Sequence, residues 1–414
     1  MKIGFVGIGN LGLPCAVAVA MKGHEVMAYD IVADLMTKTP RRYLETGPDG
    51  EEPFDPYLEH SDVRFSDLEQ VVAHADILFV AVQTPHRPGY EGVTRLPFER
   101  EDFDYRHLIR SIEEISAAAK RETTVAVVST VLPGTMRRSV MRAASPLLRL
   151  CYNPYFIAMG TTMRDFLHPE FVLLGADDPI SAKKLEAFYA TITNAPTYHM
   201  SIESAEITKL AYNTYIGMKI VFANTLMEIC HKIPGANVND VTGALKAAHH
   251  RLISPRYLEG GMGDGGNCHP RDNIAMSWLA RQLPLSHDLF GDLMTARDDQ
   301  TEWLADLMCA YDLPKAIVGY SFKPGTNRIA GSPAFLLKII LEERGFQPLL
   351  YDPYVDGRGH DLSNLAPHVV LIGAKHPEFT SLSFAKDSIV IDPWRYLPSQ
   401  DGVTLVHVGI GKSP

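Results

Sequence analysis

One cysteine, Cys268, follows a run of glycines that could hold a ligand close to its sulfur. The run reads Gly260-Gly261-Met262-Gly263-Asp264-Gly265-Gly266-Asn267, and His269-Pro270-Arg271-Asp272 follows the cysteine. Glycine has no Cβ and adopts positive φ angles at low cost, so backbone amides can close around a bound group. The same pattern also occurs in a surface turn beside a buried thiol. The rest of the chain has to decide between these two interpretations.

A second set of polar residues recurs along a segment with helical periodicity. Apolar residues between Ser204 and Cys230 recur every three or four positions, which predicts a long helix. Glu206, Lys209 and Asn213 form a separate stripe, in which Lys209 and Asn213 are one turn apart and point the same way. The stripe is either a solvated face or the wall of a site in which Lys209 donates a proton or a hydrogen bond.

The first thirty residues have the order of elements that binds a dinucleotide. Lys2–Val6 is predicted as a buried strand, Leu13–Met21 as a helix and His24–Tyr29 as a second strand. The segment Gly7-Ile8-Gly9-Asn10-Leu11-Gly12 lies between the first two, with glycines suited to a tight turn, a close pyrophosphate and helix–strand packing. The pyrophosphate would lie at the helix N-terminus. Asp30 would bind the adenosine ribose and repel a 2′-phosphate, which favours NAD over NADP.

Two further buried strands lead into polar loops. Ala75–Val82 is followed by Gln83-Thr84-Pro85, and Thr123–Val128 is followed by the loop Ser129-Thr130-Val131-Leu132-Pro133-Gly134-Thr135. Both loops would lie at the carboxyl ends of parallel strands, where open α/β sheets bind ligands. Strands are also expected before Cys151–Phe156 and at Phe171–Gly175. The segment from His86 to Tyr105 is expected to be an insertion loop.

The C-terminal part repeats the βαβ order without a glycine fingerprint. Strands are expected at Lys315–Tyr320, Pro348–Pro353, Val369–Gly373 and Ser388–Asp392, and helices at about Ser286–Ala310 and from Ser332 to Gly345. Lys323 and Arg395 follow strand ends, where each is either a surface cation or a ligand of a diphosphate. We therefore predict an α/β fold with two Rossmann-like, doubly wound parallel-sheet domains, 1–195 and 298–414, joined by a central helical domain, 196–297.

Composition and charge argue against several classes of protein. The net charge of -10 argues against a nucleic-acid-binding surface, and no apolar run is long enough to span a bilayer. The first residues lack the layout of a signal peptide. Five scattered cysteines suit a reducing cytosol. We expect a cytoplasmic protein with no metal site and neither nucleic acid nor membrane as a partner.

Taken in order, these motifs resemble those of the UDP-glucose/GDP-mannose dehydrogenase family. The motifs that carry the resemblance are Gly7–Gly12, Val82–Pro85, Ser129–Thr135, Asn153-Pro154, Lys209–Asn213, Gly265–Cys268 with Asp272, and Phe322-Lys323. The resemblance implies a nucleotide-sugar 6-dehydrogenase, which oxidises a sugar C6 alcohol to a carboxylate with two NAD. It also implies a homodimer, because in the family the long middle helix forms a shared two-fold interface.

The resemblance assigns a role to each motif residue. Cys268 would be the nucleophile, because an aldehyde can lose a second hydride only after a thiolate has added to it, and that second oxidation leaves a thioester. Lys209 would stabilise the developing oxyanion with Asn213 beside it, Asp272 would help to place water or Lys209, and Thr130 would help to hold the water or the cofactor. The implied cofactor residues are Gly7, Gly9, Asn10, Leu11, Gly12, Asp30, Val82, Gln83, Thr84, Pro85, Ser129 and Thr130. The implied substrate residues are Tyr155, Phe156, Lys209, Asn213, Arg251, Tyr257, Gly263, Gly265, Gly266, Phe322, Lys323 and Arg395.

The chain departs from the family where the product is released. Tyr155 occupies the place of a family Glu that serves the hydrolytic water, and Met159 that of a second Glu. Loss of a general base typically slows its step about 10²- to 10⁴-fold. Either another group replaces this Glu, such as Asp272 or Tyr155 acting through a water, or the product is not released as a simple acid.

The chain also departs from the family in the arginines near the substrate and cofactor. Ala330 replaces an arginine that reaches the cofactor, with Arg328 nearby, and Leu252 replaces a substrate arginine, with Arg251 and Arg256 nearby. UDP-glucose is therefore not assumed as the substrate. Two alternatives to the four-electron enzyme stay open. One is a two-electron dehydrogenase of a modified nucleotide-linked substrate, and the other is a catalytically silent protein that binds NAD and a nucleotide sugar.

Overall fold

The chain forms two compact units. The computed structural model describes residues 1–38, 44–249, 256, 259–266, 268–282, 288–357, 362 and 365–410. The first unit consists of Met1–Pro85 and Asp102–Ala211, and the second consists of His86–Glu101 and Tyr212–Pro414. The division of the second half into a central and a C-terminal domain at residue 297 stays a prediction, because both parts lie in the second unit.

The first unit is built on one sheet of eight described strands in the order β3-β2-β1-β4-β5-β6-β7-β8. The strands are β1 Lys2–Val6, β2 Glu25–Tyr29, β3 Arg64–Phe65, β4 Ile77–Val80, β5 Thr123–Val127, β6 Leu148–Tyr152, β7 Val172–Gly175 and β8 Thr197–Met200. The helices are α1 Gly12–Met21, α2 Asp55–Glu59, α3 Leu68–His74, α4 Arg106–Ala118, α5 Met141–Ala143, α6 Thr162–Leu167 and α7 Pro179–Tyr189. The described strands pair in parallel except β6 with β7, which meet antiparallel at Tyr152 and Gly175.

Apolar side chains cover both faces of this sheet. Phe5 and Phe79 stack on one face with their ring centroids 5.2 Å apart, and Val6 and Val80 belong to the core on the other face. A parallel sheet buried on both sides is the expected result of strands that read as continuous apolar runs. The strand order is that of a dinucleotide-binding fold, so the predicted doubly wound α/β fold is confirmed.

The second unit combines helices with a smaller parallel sheet. Its helices are α8 Ile202–Lys232, whose first residues belong to the first unit, α9 Val238–Ala247, α10 Cys268–Gln282, α11 Leu289–Cys309 and α12 Pro333–Glu343. Its strands are β9 Lys315–Val318, β10 Leu349–Tyr351, β11 Val369–Ile372, β12 Ile389–Asp392 and β13 Thr404–His407. They pair in the order β10-β9-β11-β12-β13. The four predicted strands of this part are present, and β13 is an addition at its edge.

The expected insertion loop packs as part of the second unit. Within His86–Glu101, Arg95 forms ion pairs with Glu302 of α11 and, at 3.0 Å, with Glu343 of α12. The Leu96 amide donates to Asp298 at 2.7 Å. This loop is therefore fixed along much of its length. Among the described helices, none combines the length and apolarity needed to cross a bilayer.

Candidate active site

Of the three glycines in the loop after β1, only Gly9 has open space beside its Cα, where a dinucleotide could lie. Gly7 has a φ of +87°, and a Cβ there would lie 2.8 Å from the carbonyl carbon of Ala81. A Cβ on Gly12 would lie 1.9 Å from the Gly7 oxygen. No described atom lies within 4 Å of a Cβ built on Gly9. Gly7 and Gly12 therefore serve the fold, while the open side of Gly9 can accept a pyrophosphate at the start of α1.

The acid at the end of β2 is bound to this same loop. One Asp30 oxygen accepts a hydrogen bond from the Ile8 amide at 2.9 Å, and the other accepts one from the Val32 amide at 2.9 Å. The carboxylate is thereby fixed beside the loop where a ribose would follow the pyrophosphate. The predicted cofactor residues of this part, Gly7, Gly9, Asn10, Leu11, Gly12 and Asp30, lie along one continuous turn and the strand tip next to it.

The loops that follow β4 and β5 are joined by two hydrogen bonds. The Thr84 hydroxyl donates to the Thr130 carbonyl at 2.8 Å, and the Ser129 hydroxyl donates to the Val82 carbonyl at 2.6 Å. Gln83 is exposed between them, and Pro85 is the last residue of this part of the first unit. The structure thus brings together the six residues predicted for the nicotinamide half: Val82, Gln83, Thr84, Pro85, Ser129 and Thr130.

The polar stripe at the start of α8 is buried, so its interpretation as a solvated face is wrong. Glu206 is 0% exposed, Lys209 7% and Asn213 6%. Glu206 accepts hydrogen bonds from the amides of Gly134 at 2.6 Å and Met136 at 2.8 Å. Burial raises the pKa of Glu206, although these two bonds oppose the shift. Glu206 therefore fixes the Pro133-Gly134-Thr135 turn that follows the predicted cofactor loop.

Lys209 is directed at the loop that follows β6. Its Nζ donates to the Tyr155 carbonyl at 2.9 Å and lies 5.1 Å from the centroid of the Phe156 ring. A lysine ammonium has three N–H donors, and this bond uses one of them. The predicted residues Lys209, Tyr155 and Phe156 are therefore neighbours within the first unit.

The side chain of Tyr155 corrects one expectation. It does not line a polar site but lies in the core of the first unit, with its ring centroid 5.3 Å from that of Phe166 and 6.4 Å from that of Phe79. The hydroxyl lies beside that of Tyr189, and burial raises the pKa of Tyr155 well above its ordinary value. An aromatic ring gains more from this apolar pocket than from a polar loop. Only the carbonyl of Tyr155 is presented to Lys209, so the side chain cannot relay a proton to water there.

Cys268 differs from most other cysteines in its surroundings. It is the first residue of α10 and is partly exposed. Cys15, Cys151 and Cys230 are buried, and burial raises the pKa of each thiol. Cys309 is also partly exposed, with its sulfur 3.8 Å from a nitrogen of Arg344. Sulfur chemistry needs access as well as a thiolate, and the partial exposure of Cys268 at the start of a helix is compatible with this need.

Asn213 and Asp272 form a buried pair one turn along α10 from Cys268. The Asn213 Nδ2 donates to Asp272 Oδ2 at 2.5 Å, and Arg271 donates to the other carboxylate oxygen at 3.0 Å. Asp272 is 0% exposed. Residues four apart on a helix share a face, so Asp272 and Asn213 line the side of α10 that carries Cys268. Three of the predicted catalytic residues are thus brought together in the second unit.

Three buried residues that sequence reasoning did not single out hold the glycine run. Asn224 of α8 accepts from the Gly261 amide at 2.8 Å and donates to the Met262 carbonyl at 2.9 Å. Gln300 donates to the Gly261 carbonyl at 3.4 Å. Arg297, 1% exposed, forms a 3.0 Å ion pair with Asp264. The sequence carried no signal for these roles beyond polar types inside apolar helices.

The end of the glycine run packs against the loop after β9. A Cβ on Gly265 would lie 3.1 Å from the Phe322 carbonyl oxygen, and one on Gly266 would lie 2.9 Å from the Phe322 ring. Lys323 follows, with its Nζ 5.5 Å from the same ring. Gly263 lies farther back, where a Cβ would be 3.3 Å from Arg297. The predicted substrate residues of these two loops therefore form one surface of the second unit.

Arg395 has a structural role in the second unit, and its contact with a diphosphate stays a prediction. Its guanidinium donates to the carbonyls of Gly260 at 2.7 Å and Val408 at 3.1 Å, and to the Asn239 side chain at 2.9 Å. These bonds tie the start of the glycine run to the C-terminal part. The predicted substrate residues Arg251 and Tyr257, together with Leu252 and Asn267, lie outside the described residues.

Comparison with known proteins decides the family. Residues 1–193 match the model of the UDP-glucose/GDP-mannose dehydrogenase family, NAD binding domain. Residues 203–297 match the model of the same family's central domain. The chain belongs to the UDP-glucose/GDP-mannose dehydrogenase family. It is therefore an NAD-dependent nucleotide-sugar dehydrogenase, which confirms the predicted enzyme class and cofactor.

Curated relatives agree with this assignment, and a solved structure has the same fold. The chain is 28% identical over 380 residues to the GDP-mannose 6-dehydrogenase of Pseudomonas aeruginosa, covering 86% of this chain and 82% of that protein. It is 28% identical over 376 residues to the UDP-glucose 6-dehydrogenase of Rhizobium meliloti, covering 85% and 82%. The fold matches a UDP-glucose dehydrogenase from the archaeon Pyrobaculum islandicum with a TM-score of 0.84, at 24% identity over 99% of this chain and 98% of that one.

Proposed function

We propose that this dehydrogenase oxidises the C6 hydroxyl of a nucleotide sugar to a uronate, with Cys268 carrying the acyl intermediate. One observation carries the proposal. Cys268 is the first residue of α10 and is partly exposed, and Asp272, which accepts a hydrogen bond from Asn213 of α8, lies one turn away on the same face of α10. Such a constellation supplies a nucleophile next to hydrogen-bonding groups that can orient the reacting carbon.

The cofactor supplies the hydride acceptor, and the glycine loop, Asp30 and the Thr84–Thr130 pair would hold it. The chain's own residues do the remaining chemistry. The sulfur of Cys268 adds to the aldehyde carbon formed by the first oxidation. The new C–S bond gives a thiohemiacetal, whose C–H hydrogen can be transferred as a hydride. Transfer of this hydride leaves a thioester, and water cleaves the C–S bond to give the carboxylate and the free thiolate. The complete oxidation consumes two NAD and one water and forms two NADH.

Lys209 is proposed to stabilise the negative oxygen that develops during these steps. It is a buried cation within the first unit, fixed by the Tyr155 carbonyl and by the Phe156 ring. A charge held in place away from bulk water stabilises an oxyanion without reorganisation, and one such donor is typically worth about 10²- to 10³-fold in rate. Asn213 is held by Asp272 with its amide group in a fixed orientation. Thr130 is proposed to hold the cofactor or the water.

The nucleotide sugar is proposed to lie against the surface made by the glycine run and Phe322-Lys323. Both segments lie in the second unit. The glycine run is held there by bonds to the side chains of Arg297, Asn224 and Gln300. The relatives named above act on GDP-mannose and on UDP-glucose, so both nucleotide sugars are candidate substrates. The buried side chain of Tyr155 supports a second function, a two-electron dehydrogenase, because it removes one means of hydrolysing a thioester.

A homodimer is proposed through α8. Ile207 is 49% exposed, Tyr215 45% and Phe222 52%. They lie about two helical turns apart in sequence, so they share one face of α8. Exposed apolar side chains on one helix face are typical of a protein–protein interaction site, and two-fold self-association is the usual arrangement. The cytoplasmic location expected from the cysteines stays a prediction.

The test is a panel of nucleotide sugars scored by NADH release. GDP-mannose, UDP-glucose, UDP-N-acetylmannosamine and dTDP-glucose are each supplied with NAD, and the acid product is identified by mass spectrometry. We expect at least one to give NADH and a uronate, and we expect Cys268→Ala to form no uronate. Cys309→Ala is the matched control, since Cys309 is the other partly exposed cysteine in the described chain. A uronate formed by Cys268→Ala at the normal rate would contradict the proposal.

A further inference from the structure

His86 is a buried imidazole beside the helix that carries Cys268. It directly follows Thr84-Pro85, but the loop that it opens, His86–Glu101, belongs to the second unit. A Cβ on Gly92 of this loop would lie 2.2 Å from the Cβ of Pro270 in the first turn of α10. Arg297 donates to the Gly92 carbonyl at 3.0 Å. The loop is therefore held directly against the start of α10.

The surroundings of His86 keep its ring neutral. Its side chain is 6% exposed, and the Tyr90 ring stacks on it with the centroids 6.1 Å apart. Burial lowers the pKa of His86 to about 4, Arg271 lowers it further, and Asp272 and a hydrogen bond with the Arg271 backbone oppose the shift. The imidazole therefore has an unprotonated nitrogen at neutral pH.

Helix geometry relates this imidazole to the sulfur. Arg271 and Asp272 come three and four residues after Cys268, so they flank its face of α10 at a rise of about 5 to 6 Å. The imidazole lies close enough to both residues to interact with their charges. His86 is thus a neutral base beside the first turns of the helix that begins at the cysteine proposed to form the thioester.

The two other candidate bases are less suited to activate water. The Tyr155 side chain is in the core of the first unit. Both carboxylate oxygens of Asp272 already accept hydrogen bonds, one from Asn213 and one from Arg271. Thioester hydrolysis needs a proton acceptor for the attacking water, and such a base typically contributes about 10²- to 10⁴-fold.

We propose that His86 is the general base that releases the product from Cys268. This role rests on the proposed function, in which Cys268 forms the thioester. The imidazole takes a proton from water as the oxygen bonds to the acyl carbon, and the C–S bond then breaks to free the Cys268 thiolate. The carboxylic acid and the imidazolium each lose a proton to solvent, which restores the enzyme.

A weakly basic imidazole is compatible with this role. A nitrogen with a pKa of about 4 has nearly the basicity of an unperturbed Glu, whose pKa is about 4.3. The imidazole therefore stays deprotonated across the pH range in which the enzyme would work.

The test compares His86→Gln and His86→Asn with His107→Gln, a control at an exposed histidine of α4. GDP-mannose, UDP-glucose and UDP-N-acetylmannosamine serve as the probes, with rapid acid quenching and intact-protein mass spectrometry. We expect the variants at His86 to keep a rapid burst of two NADH per site, while steady turnover falls by about 10²- to 10⁴-fold and Cys268 accumulates an acyl adduct. The control should behave as the unchanged enzyme. Added imidazole should restore turnover in His86→Ala.

Three outcomes overturn the assignment. If turnover of His86→Gln is unchanged and no adduct accumulates, His86 is not the base. If burst and turnover fall together without imidazole rescue, His86 only positions the loop against α10. If the unchanged enzyme forms neither NADH nor a uronate with any probe, the proposed function itself fails, and the role of His86 fails with it.

Discussion

The amide of Asn213 in α8 and the carboxylate of Asp272 in α10 are joined by a buried hydrogen bond of 2.5 Å. This bond fixes the helix that begins at Cys268 against the long helix. Because Arg271 satisfies the other carboxylate oxygen, the pair forms part of a connected polar network inside an apolar unit. Such a network stabilises a defined arrangement only when its members stay satisfied.

Removing both partners of this pair should cost less stability than the sum of the costs of removing each one alone. Asn213→Leu leaves the Asp272 carboxylate buried without its amide donor, and we expect the free energy of unfolding to fall by about 2 to 3 kcal/mol. The double variant Asn213→Leu/Asp272→Leu should lose less than the sum of the single variants. Urea unfolding of all four proteins measures this coupling. Strictly additive losses would show that the hydrogen bond contributes nothing of its own.

Two glycines of the dinucleotide loop should respond differently to the same change. Gly9→Ala adds a methyl group where no described atom lies within 4 Å. We expect the thermal melting temperature to stay the same, while the KM for NAD rises because the methyl occupies the pyrophosphate position. Gly12→Ala would place its methyl 1.9 Å from the Gly7 oxygen, which should destabilise the fold by about 1 to 3 kcal/mol or more. Equal melting temperatures for the two variants would contradict this description.

The buried state of His86 should make stability depend on pH. Its folded pKa of about 4 lies below the ordinary 6.5, so the unfolded chain binds the proton more readily. The contribution of His86 to stability is therefore complete above pH 6.5 and is lost as pH falls through 4. Between pH 7.5 and 5, we expect the unchanged enzyme to lose up to about 2 kcal/mol more than His86→Gln. Parallel stability curves for the two proteins would show that His86 is not held neutral by the fold.

The exposed apolar face of α8 should control the oligomeric state. Phe222→Glu places a charge on a side chain that is 52% exposed in the single chain. We expect light scattering at micromolar concentration to show a dimer for the unchanged enzyme and a monomer for this variant. Phe98→Glu, at a phenylalanine outside α8 that is 93% exposed, is the charge-matched control. A monomeric unchanged enzyme would contradict the proposed interface.

The fold could be predicted from the sequence to a large extent because its signals are local. β1, the glycine loop and α1 follow one another directly, and the apolar runs of β4 and β5 are buried on both sides as their composition indicated. The antiparallel pairing of β6 with β7 was not predicted, since strand direction depends on how the chain returns to the sheet. The short edge strands β8 and β13 carry weak patterns and were also missed.

The candidate site was harder to predict because its supports come from distant parts of the chain. Helical spacing identified the stripe of Glu206, Lys209 and Asn213, but its burial depends on partners such as Gly134 and Tyr155. Tyr155 illustrates the same limit. Its position in the motif suggested a polar role, whereas the size and apolarity of its ring place it in the core.

The central claim is a four-electron oxidation through Cys268, and counting NADH against substrate consumed tests it most directly. The nucleotide sugar that is active in the panel is converted to completion with excess NAD, and NADH and product are quantified together. We expect two NADH for each uronate formed. One NADH for each molecule consumed, with free aldehyde as the product, would contradict the account and favour the two-electron alternative.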